Sequence, residues 1–245
     1  MRHHPSFVVR LTLTRTPVGR QFGWGATPSK KYQGCPKVNS CESGVKTWAK
    51  ENKVDFVEIN NLKGDDLIKV LESLKNHTVE YGIVADFSLL IPEEIIEYFN
   101  KKLINIHFSL LPNYRGASPV QFSILDGEKR FGITYMLVEK GLDTGDILKE
   151  FEYKLPDNTT TGEAYDLLFK KAGYDIVEVL EQYSKNNIAP LPQDHEKATY
   201  TFSPSNPKST FIFKEDAHIN WKESMDVIDR KIRAFNPWPI ALRVS

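Results

Sequence analysis

Apolar residues recur along the chain with two spacings, which alternate from residue 45 onward. Helical spacing predicts helices over residues 45–53, 65–76, 118–125, 160–184 and 223–234, and Pro92 marks the start of another. β-branched or alternating runs predict strands over residues 7–14, 54–59, 79–85, 103–108, 131–138, 147–153 and 219–221. Strands that alternate with helices are typical of a parallel sheet with helices on both faces. The pattern therefore predicts an α/β fold with a doubly wound, mostly parallel, Rossmann-like sheet.

The segment 15–44 follows neither spacing, because glycines and prolines interrupt every period. Loops of this length in a compact domain are usually functional or disordered. This one places aromatic residues among basic ones, which include Arg15, Arg20, Lys30 and Lys31. Such a mixture suits contact with phosphates and stacking on bases. A nucleic-acid contact and a floppy surface insertion both remain open on this pattern.

The charge of the chain is balanced overall but not along its length. The 245 residues include 32 basic and 32 acidic side chains, which gives a net charge of zero. Residues 1–53 contain ten lysines and arginines and two acids, so this part carries +8 and the remainder carries −8. Such asymmetry is a hint of a polyanionic partner, although a solvated basic face is the commoner explanation.

The sequence argues against several classes of protein. The longest apolar stretch, residues 81–92, is too short to span a bilayer and contains Asp86. The first ten residues lack the apolar core of a signal peptide, so we expect a protein of the cytoplasm or of an organelle matrix, without membrane contact. Cys35 and Cys41 are the only cysteines, too few for a disulfide framework or a four-ligand zinc site. The chain also lacks a P-loop, a dinucleotide fingerprint and a Gly-x-Ser-x-Gly elbow.

Asn105 and His107 lie in the predicted strand 103–108 and face the same side, because side chains alternate along a strand. Asparagine is depleted in strands, and a buried polar pair must find hydrogen-bond partners. Open α/β sheets bind ligands at the carboxyl ends of their strands. A histidine in a strand is often structural, but the Gly/Pro-punctuated loop that follows directly favours a site here. Ser109 is adjacent, and nothing else marks it as a nucleophile.

Asp143 is a second candidate for chemistry. Gly141 and Gly145 bracket it in a tight turn between two predicted strands, where a carboxylate has little rotamer freedom. A turn-forming aspartate is the plainer interpretation of the pattern alone.

These candidates lie in two of three separated motifs. They are Asn-Ile-His-x-Ser-Leu-Leu-Pro-x-x-Arg-Gly-Ala-x-Pro over residues 105–119, Gly-Leu-Asp-Thr-Gly-Asp over 141–146 and Arg-Ala-Phe-Asn-Pro-Trp-Pro over 233–239. In order and spacing they resemble the formyltetrahydrofolate-dependent formyltransferases, and most closely those that act on methionyl-tRNA. The resemblance is strong over about residues 79–239 and patchy before them.

The resemblance implies transfer of a formyl group from 10-formyltetrahydrofolate to the amino group of methionyl initiator tRNA, for translation initiation. By position, the family's catalytic residues fall on Asn105, His107 and Asp143. Its folate contacts fall on Val84, Ala85, Asp86, Phe87, Ser109, Leu110, Leu111 and Pro112. Its tRNA contacts fall on Arg15, Arg20, Lys30 and Lys31. The resemblance implies no metal, and we expect a monomer.

The chain departs from the family pattern at both ends. The resemblance leads us to expect that the family's first strand–helix unit and its C-terminal β-barrel are missing from this sequence. We therefore expect a catalytic domain over residues 1–189, which includes the basic loop 15–44, and a connector with a closing helix over residues 190–245. Two other functions remain open: a formyltransferase for a nucleotide-linked amino sugar, and a non-catalytic fragment.

Overall fold

The computed structural model describes residues 44–59, 61–77, 79–87 and 89–243. The elements, in chain order, are α1 (Gly44–Glu51), α2 (Gly64–Asn76), β1 (Gly82–Ala85), α3 (Glu93–Phe99), β2 (Leu103–His107), α4 (Pro119–Asp126), β3 (Arg130–Leu137), β4 (Ile147–Lys154), α5 (Thr161–Ser184), β5 (His218–Ile219), α6 (Met225–Ala234) and β6 (Leu242–Arg243). Two compact units divide the chain within β2, after Ile104. The predicted strand 7–14 and almost all of the basic loop lie outside the described residues.

The first unit places β1 beside the start of β2, where Gly82 N donates to Lys102 O over 3.0 Å. A Cβ atom on Gly82 would lie 2.5 Å from Leu103 Cδ1, so the close approach of the chain requires a glycine there. Helix α2 begins with acidic residues and ends with a basic one, which complements the helix dipole. Its apolar face buries Val70 and Leu74 completely.

The second unit continues with β3 next to β2 and with β4 next to β3. β3 and β4 pair antiparallel from Arg130 opposite Lys154 to Met136 opposite Ile147. Every residue of β3 after Arg130 is buried, the pattern of a strand that is packed on both faces.

Helix α5 packs on β3 and β4, and α4 packs on both α5 and α6. A capping box starts α5: Glu163 N donates to Thr160 Oγ1, while the Glu163 carboxylate accepts from Thr160 N. Aromatic rings fill the contact between α5 and the end of β2, because Phe108 meets Tyr165 and Phe169 edge to face. A separate cluster forms around Phe235, next to α6.

The segment 190–208, indicated as a connector by its composition, runs along the loop that follows β2. Thr199 O accepts from Arg115 N over 2.9 Å, and Thr201 N donates to Arg115 O over 2.9 Å. Leu191 pairs with Ile147 at the start of β4. The connector therefore supports the loop after β2 from one side.

The predicted α/β class is confirmed, and the sheet is mixed because β3 and β4 run antiparallel. The predicted strand 54–59 is wrong: in the described part of the chain these residues are not assigned to a strand. Val54 N donates instead to Ala49 O in α1. Ile59 is buried and Val54, Phe56 and Val57 are partly buried, so burial accounts for the apolar positions of the segment. Among the described helices, none is long and apolar enough to cross a membrane.

Candidate active site

Three polar side chains meet at the carboxyl end of β2. Asn105 Nδ2 donates to Asp143 Oδ1 over 3.4 Å, and His107 Nδ1 lies 3.8 Å from Asp143 Oδ2. The shorter contact is a long hydrogen bond, and the longer one is an ion-pair distance rather than a hydrogen bond. The His107 side chain is 6% exposed and that of Asp143 is 14% exposed. Strand alternation thus brings Asn105 and His107 to the same carboxylate, which arrives from the β3–β4 connection.

The loop after β2 holds this group through its main chain. Tyr114 O lies 2.9 Å from His107 Nε2, and Gly116 N donates to Asp143 Oδ2 over 2.7 Å. A carbonyl oxygen can only accept, so His107 Nε2 carries the proton of that bond. The other ring nitrogen, Nδ1, faces the Asp143 carboxylate.

The backbone at this loop is tightly constrained. Gly116 has φ +118°, and a Cβ atom there would lie 2.5 Å from Thr201 Oγ1 and 2.7 Å from Thr210 Cβ. Tyr114 has φ +60°, an uncommon conformation for a bulky residue. Left-handed conformations of this kind collect at functional sites, where surrounding contacts hold them. Here they aim Tyr114 O at His107 and Gly116 N at Asp143.

Asp143 also has a left-handed conformation, with φ +52°, which aspartate tolerates better than most residues. Its turn is closed by Leu137 N, which donates to Asp146 O over 2.8 Å. A Cβ atom on Gly145 would collide with Leu137 O. The turn therefore depends on a glycine two residues after the carboxylate.

The predicted folate contacts are placed in two segments. Val84, Ala85, Asp86 and Phe87 form the end of β1 and the turn after it, and each is exposed or partly exposed. In the segment 109–112, Ser109 and Leu111 are buried, and Ser109 Oγ donates to Asn113 O over 2.6 Å. The Ser109 hydroxyl is therefore already bonded within its loop. Folate contact by either segment stays a prediction.

The tRNA contacts predicted at Arg15, Arg20, Lys30 and Lys31 lie outside the described residues.

Two buried residues next to the site were given no role by the sequence. Arg115 is 1% exposed, and its guanidinium bonds to Gln193, which is 6% exposed. Arg115 stood in a recognised motif, but nothing in the composition of the connector marked Gln193.

Comparison with protein families gives a match that includes this site. The family model described as Formyl transferase matches residues 26–180, which is more than half of the chain and contains Asn105, His107 and Asp143. The chain belongs to the formyl transferase family. A second family model, described as Formyl transferase, C-terminal domain, matches residues 211–244.

Members of this formyl transferase family give the following similarities. Methionyl-tRNA formyltransferase of Legionella pneumophila (strain Corby) is 39% identical over 204 residues, which are 83% of this chain and 62% of that protein. This chain thus matches less than two thirds of the relative's length. The solved methionyl-tRNA formyltransferase from Clostridium thermocellum is 25% identical, with a TM-score of 0.60, covering 82% of this chain and 81% of that one.

A third similarity concerns the fold alone. An N-formyltransferase from Helicobacter canadensis, solved in complex with folinic acid and dTDP-3-aminofucose, is 23% identical with a TM-score of 0.55. The match covers 81% of this chain and 66% of that one.

Proposed function

We propose that this chain transfers a formyl group from 10-formyltetrahydrofolate to the amino group of methionyl initiator tRNA. The convergence of Asn105, His107 and Asp143 at the end of β2 carries the proposal, because it supplies the groups that acyl transfer to an amine needs. The Legionella relative, 39% identical, supports methionyl-tRNA as the acceptor. The folinic acid bound to the Helicobacter neighbour supports a folate as the donor. We expect a monomer that works in the cytoplasm or in an organelle matrix.

The reaction forms a bond between the methionyl nitrogen and the formyl carbon, and it breaks the bond from that carbon to N10 of the folate. A tetrahedral oxyanion forms between the two steps. In the proposed mechanism, Asn105 Nδ2 donates a hydrogen bond to this oxyanion. His107 Nδ1 takes the proton of the attacking amine and returns it to the leaving N10, while the nearby Asp143 carboxylate stabilises the imidazolium.

The test measures formylation of charged initiator tRNA by the 245-residue chain with 10-formyltetrahydrofolate. We expect formyl-methionyl-tRNA, and we expect His107→Ala to lower kcat by about a hundredfold or more, the usual size of a general acid–base contribution. The exposed His218 serves as the control, since His218→Ala removes an imidazole that lies far in sequence from Asn105, His107 and Asp143. Equal rates for wild type and His107→Ala would contradict the proposed mechanism.

Contact of tRNA with the basic loop is part of the proposal and has its own test. Reversing the charges of Arg20, Lys30 and Lys31 should raise KM for tRNA and flatten its salt dependence, since phosphate contacts release counterions. The KM for folate should stay unchanged. An unaltered KM for tRNA would show that tRNA is bound elsewhere.

A nucleotide-linked amino sugar is the second candidate acceptor, favoured by the dTDP-3-aminofucose of the Helicobacter neighbour. The same assay with such a sugar in place of tRNA separates the two. If the sugar is formylated and tRNA is not, the sugar is the acceptor, and the proposed roles of Asn105, His107 and Asp143 are unchanged.

A further inference from the structure

Gln193 uses every polar atom of its side chain, although it is buried in a segment of irregular structure. Its Nε2 donates to Asp143 O over 3.0 Å and to Gly145 O over 2.7 Å. Its Oε1 accepts from Arg115 Nε over 3.2 Å and from Arg115 Nη2 over 2.6 Å. Only the amide orientation with Nε2 toward the two carbonyls satisfies all four partners.

Arg115 gives Gln193 a rigid anchor. Its side chain is buried, and its further contacts are Tyr200 Oη at 3.2 Å from Nη1 and His195 Nδ1 at 3.0 Å from Nη2. In the described part of the chain, no carboxylate forms an ion pair with this guanidinium. A buried guanidinium without a carboxylate partner depends on each of its hydrogen-bond acceptors, because losing one leaves charge unsatisfied. The Gln193 oxygen accepts two of its hydrogen bonds.

The hydrogen bonds of Gln193 connect the 141–146 turn with the loop after β2, on the two sides of the candidate active site. Arg115 lies between Tyr114, whose carbonyl holds His107, and Gly116, whose N–H holds the Asp143 carboxylate. From the other side, Gln193 holds the main chain of Asp143 and ties it to the Arg115 side chain. The Asp143 carboxylate is thus bonded to Gly116, and its main-chain carbonyl is linked through Gln193 to Arg115.

We propose that Gln193 is a positioning residue that sets the distance between the Asp143 carboxylate and His107, by bonding the 141–146 turn to Arg115. The inference rests on the proposed function. In this role Gln193 acts through the direction of the Asp143 carboxylate.

Two substitutions of Gln193 separate its bonds to Arg115 from its bonds to the 141–146 turn. Gln193→Met keeps the length of the side chain and removes all four hydrogen bonds. Gln193→Glu keeps acceptors for Arg115 but places a carboxylate against Asp143 O and Gly145 O, so the bonds to the turn are lost. The control is Gln182→Met, near the end of α5, where the side chain bonds only to Asn187 locally.

In formylation assays, we expect Gln193→Met and Gln193→Glu both to lower kcat by about tenfold to a hundredfold, the cost of a misplacement of about 1 Å, with KM changed less than threefold. Gln182→Met should leave both constants unchanged. Recovery of wild-type kcat in Gln193→Glu would overturn the proposal, because Arg115 would then be the only partner that matters. Unchanged kcat in Gln193→Met would overturn it as well.

A second readout does not depend on activity. Gly116 N–H donates to Asp143 Oδ2, so its amide hydrogen exchange, measured by NMR in the full chain, reports the position of the carboxylate. We expect exchange about tenfold faster in Gln193→Met and Gln193→Glu, with no change in Gln182→Met. An inactive wild type with this exchange pattern would reject the proposed function and keep the positioning role. An active wild type with unchanged Gly116 exchange in both variants would do the reverse.

Discussion

Leu168 and His107 are both buried in the second unit, but they are held by different kinds of contact. Leu168 lies on α5 and is completely buried, and this helix packs on β3, β4 and α4. His107 is 5% exposed and is held by one main-chain carbonyl and the neighbouring Asp143. The first region is stabilised by burial and close packing, which have no preferred direction. The second depends on the direction of a few polar groups.

This difference separates stability from activity. In the packed region a lost methyl group costs free energy of unfolding and moves few polar groups. At the end of β2 a shift of the 141–146 turn costs little burial but changes the distance from Asp143 to His107. Substitutions in the two regions should therefore affect different measurements.

Leu168→Ala tests the packed region and has the largest expected effect on stability. We expect the free energy of unfolding to fall by about 2–5 kcal/mol, through lost burial and the cavity left behind. At a temperature well below the transition, kcat should remain within twofold of wild type. Urea unfolding and formylation assays measure the two quantities, with Leu168→Met as a volume-conserving control that costs less than about 1.5 kcal/mol. A large loss of kcat in the folded variant would show that the packed region also sets the site.

Gly145→Ala tests the polar region. The new methyl group collides with Leu137 O, so the turn that carries Asp143 must move. We expect kcat to fall by about a hundredfold, equivalent to about 2.7 kcal/mol, while the protein still unfolds cooperatively. Gly173→Ala is the control, because a Cβ atom in that position of α5 meets nothing within 4 Å. Unchanged kcat in Gly145→Ala would mean that Asp143 does not need its present position.

The polar region could be predicted in part from local pattern. Strand alternation predicts that Asn105 and His107 share a face, and the structure shows them around one carboxylate. Their catalytic role stays a prediction. Gln193 could not be predicted, because its partners are main-chain atoms of the 141–146 turn and a side chain 78 residues away. No periodicity within the connector records such contacts.

The packed region could be predicted more fully, although the same kind of pattern failed elsewhere in the chain. Apolar periodicity predicted β3, β4 and α5 correctly to within a few residues, because burial determines both pattern and element there. The same periodicity wrongly predicted a strand over residues 54–59. Burial of Ile59 produces an apolar position without ladder pairing, so pattern reports burial more reliably than hydrogen bonding.

Thr160→Ala places a polar change in the packed region, at the start of α5. Removing this N-cap should lower the free energy of unfolding by about 1 kcal/mol and leave kcat unchanged. Hydrogen bonds from the Thr160 main-chain N–H and then from its hydroxyl hold the pKa of Glu163 below its ordinary value, so their contribution is present above that value and is lost as pH falls through the lowered pKa. Thr160→Ala removes only the contribution of the hydroxyl. The penalty of Thr160→Ala should therefore shrink in acid. Unfolding at pH 7 and pH 3 checks this, with exposed Asn158→Ala as the control.

Glu150 lies where the two regions meet. Its Oε1 is 3.0 Å from Thr134 Oγ1 on β3, and Thr134 Oγ1 also lies 2.7 Å from Ser109 O and 3.1 Å from Leu111 N, in the loop after β2. Partial burial raises the pKa of the Glu150 carboxyl, and hydrogen bonds from Thr134 and Leu111 offset only part of that rise. The ionised form is therefore slightly unfavourable in the folded protein.

Of these substitutions, Glu150→Gln has the smallest expected effect on the free energy of unfolding. A pKa that is raised on folding adds stability below the unfolded value, and this stability is lost as pH rises through the folded one. The variant should thus exceed wild type in stability at pH 7 by less than about 1 kcal/mol, since solvent screens the partly exposed carboxylate, and should match it near pH 4. Unfolding across this range measures the gain, and Glu152→Gln on the same strand should show none. Because glutamine can donate to Thr134 and leave its hydroxyl for Ser109, kcat should not change. A fall in kcat would show that charge at Glu150 reaches the site through Thr134, and the two regions would no longer be independent.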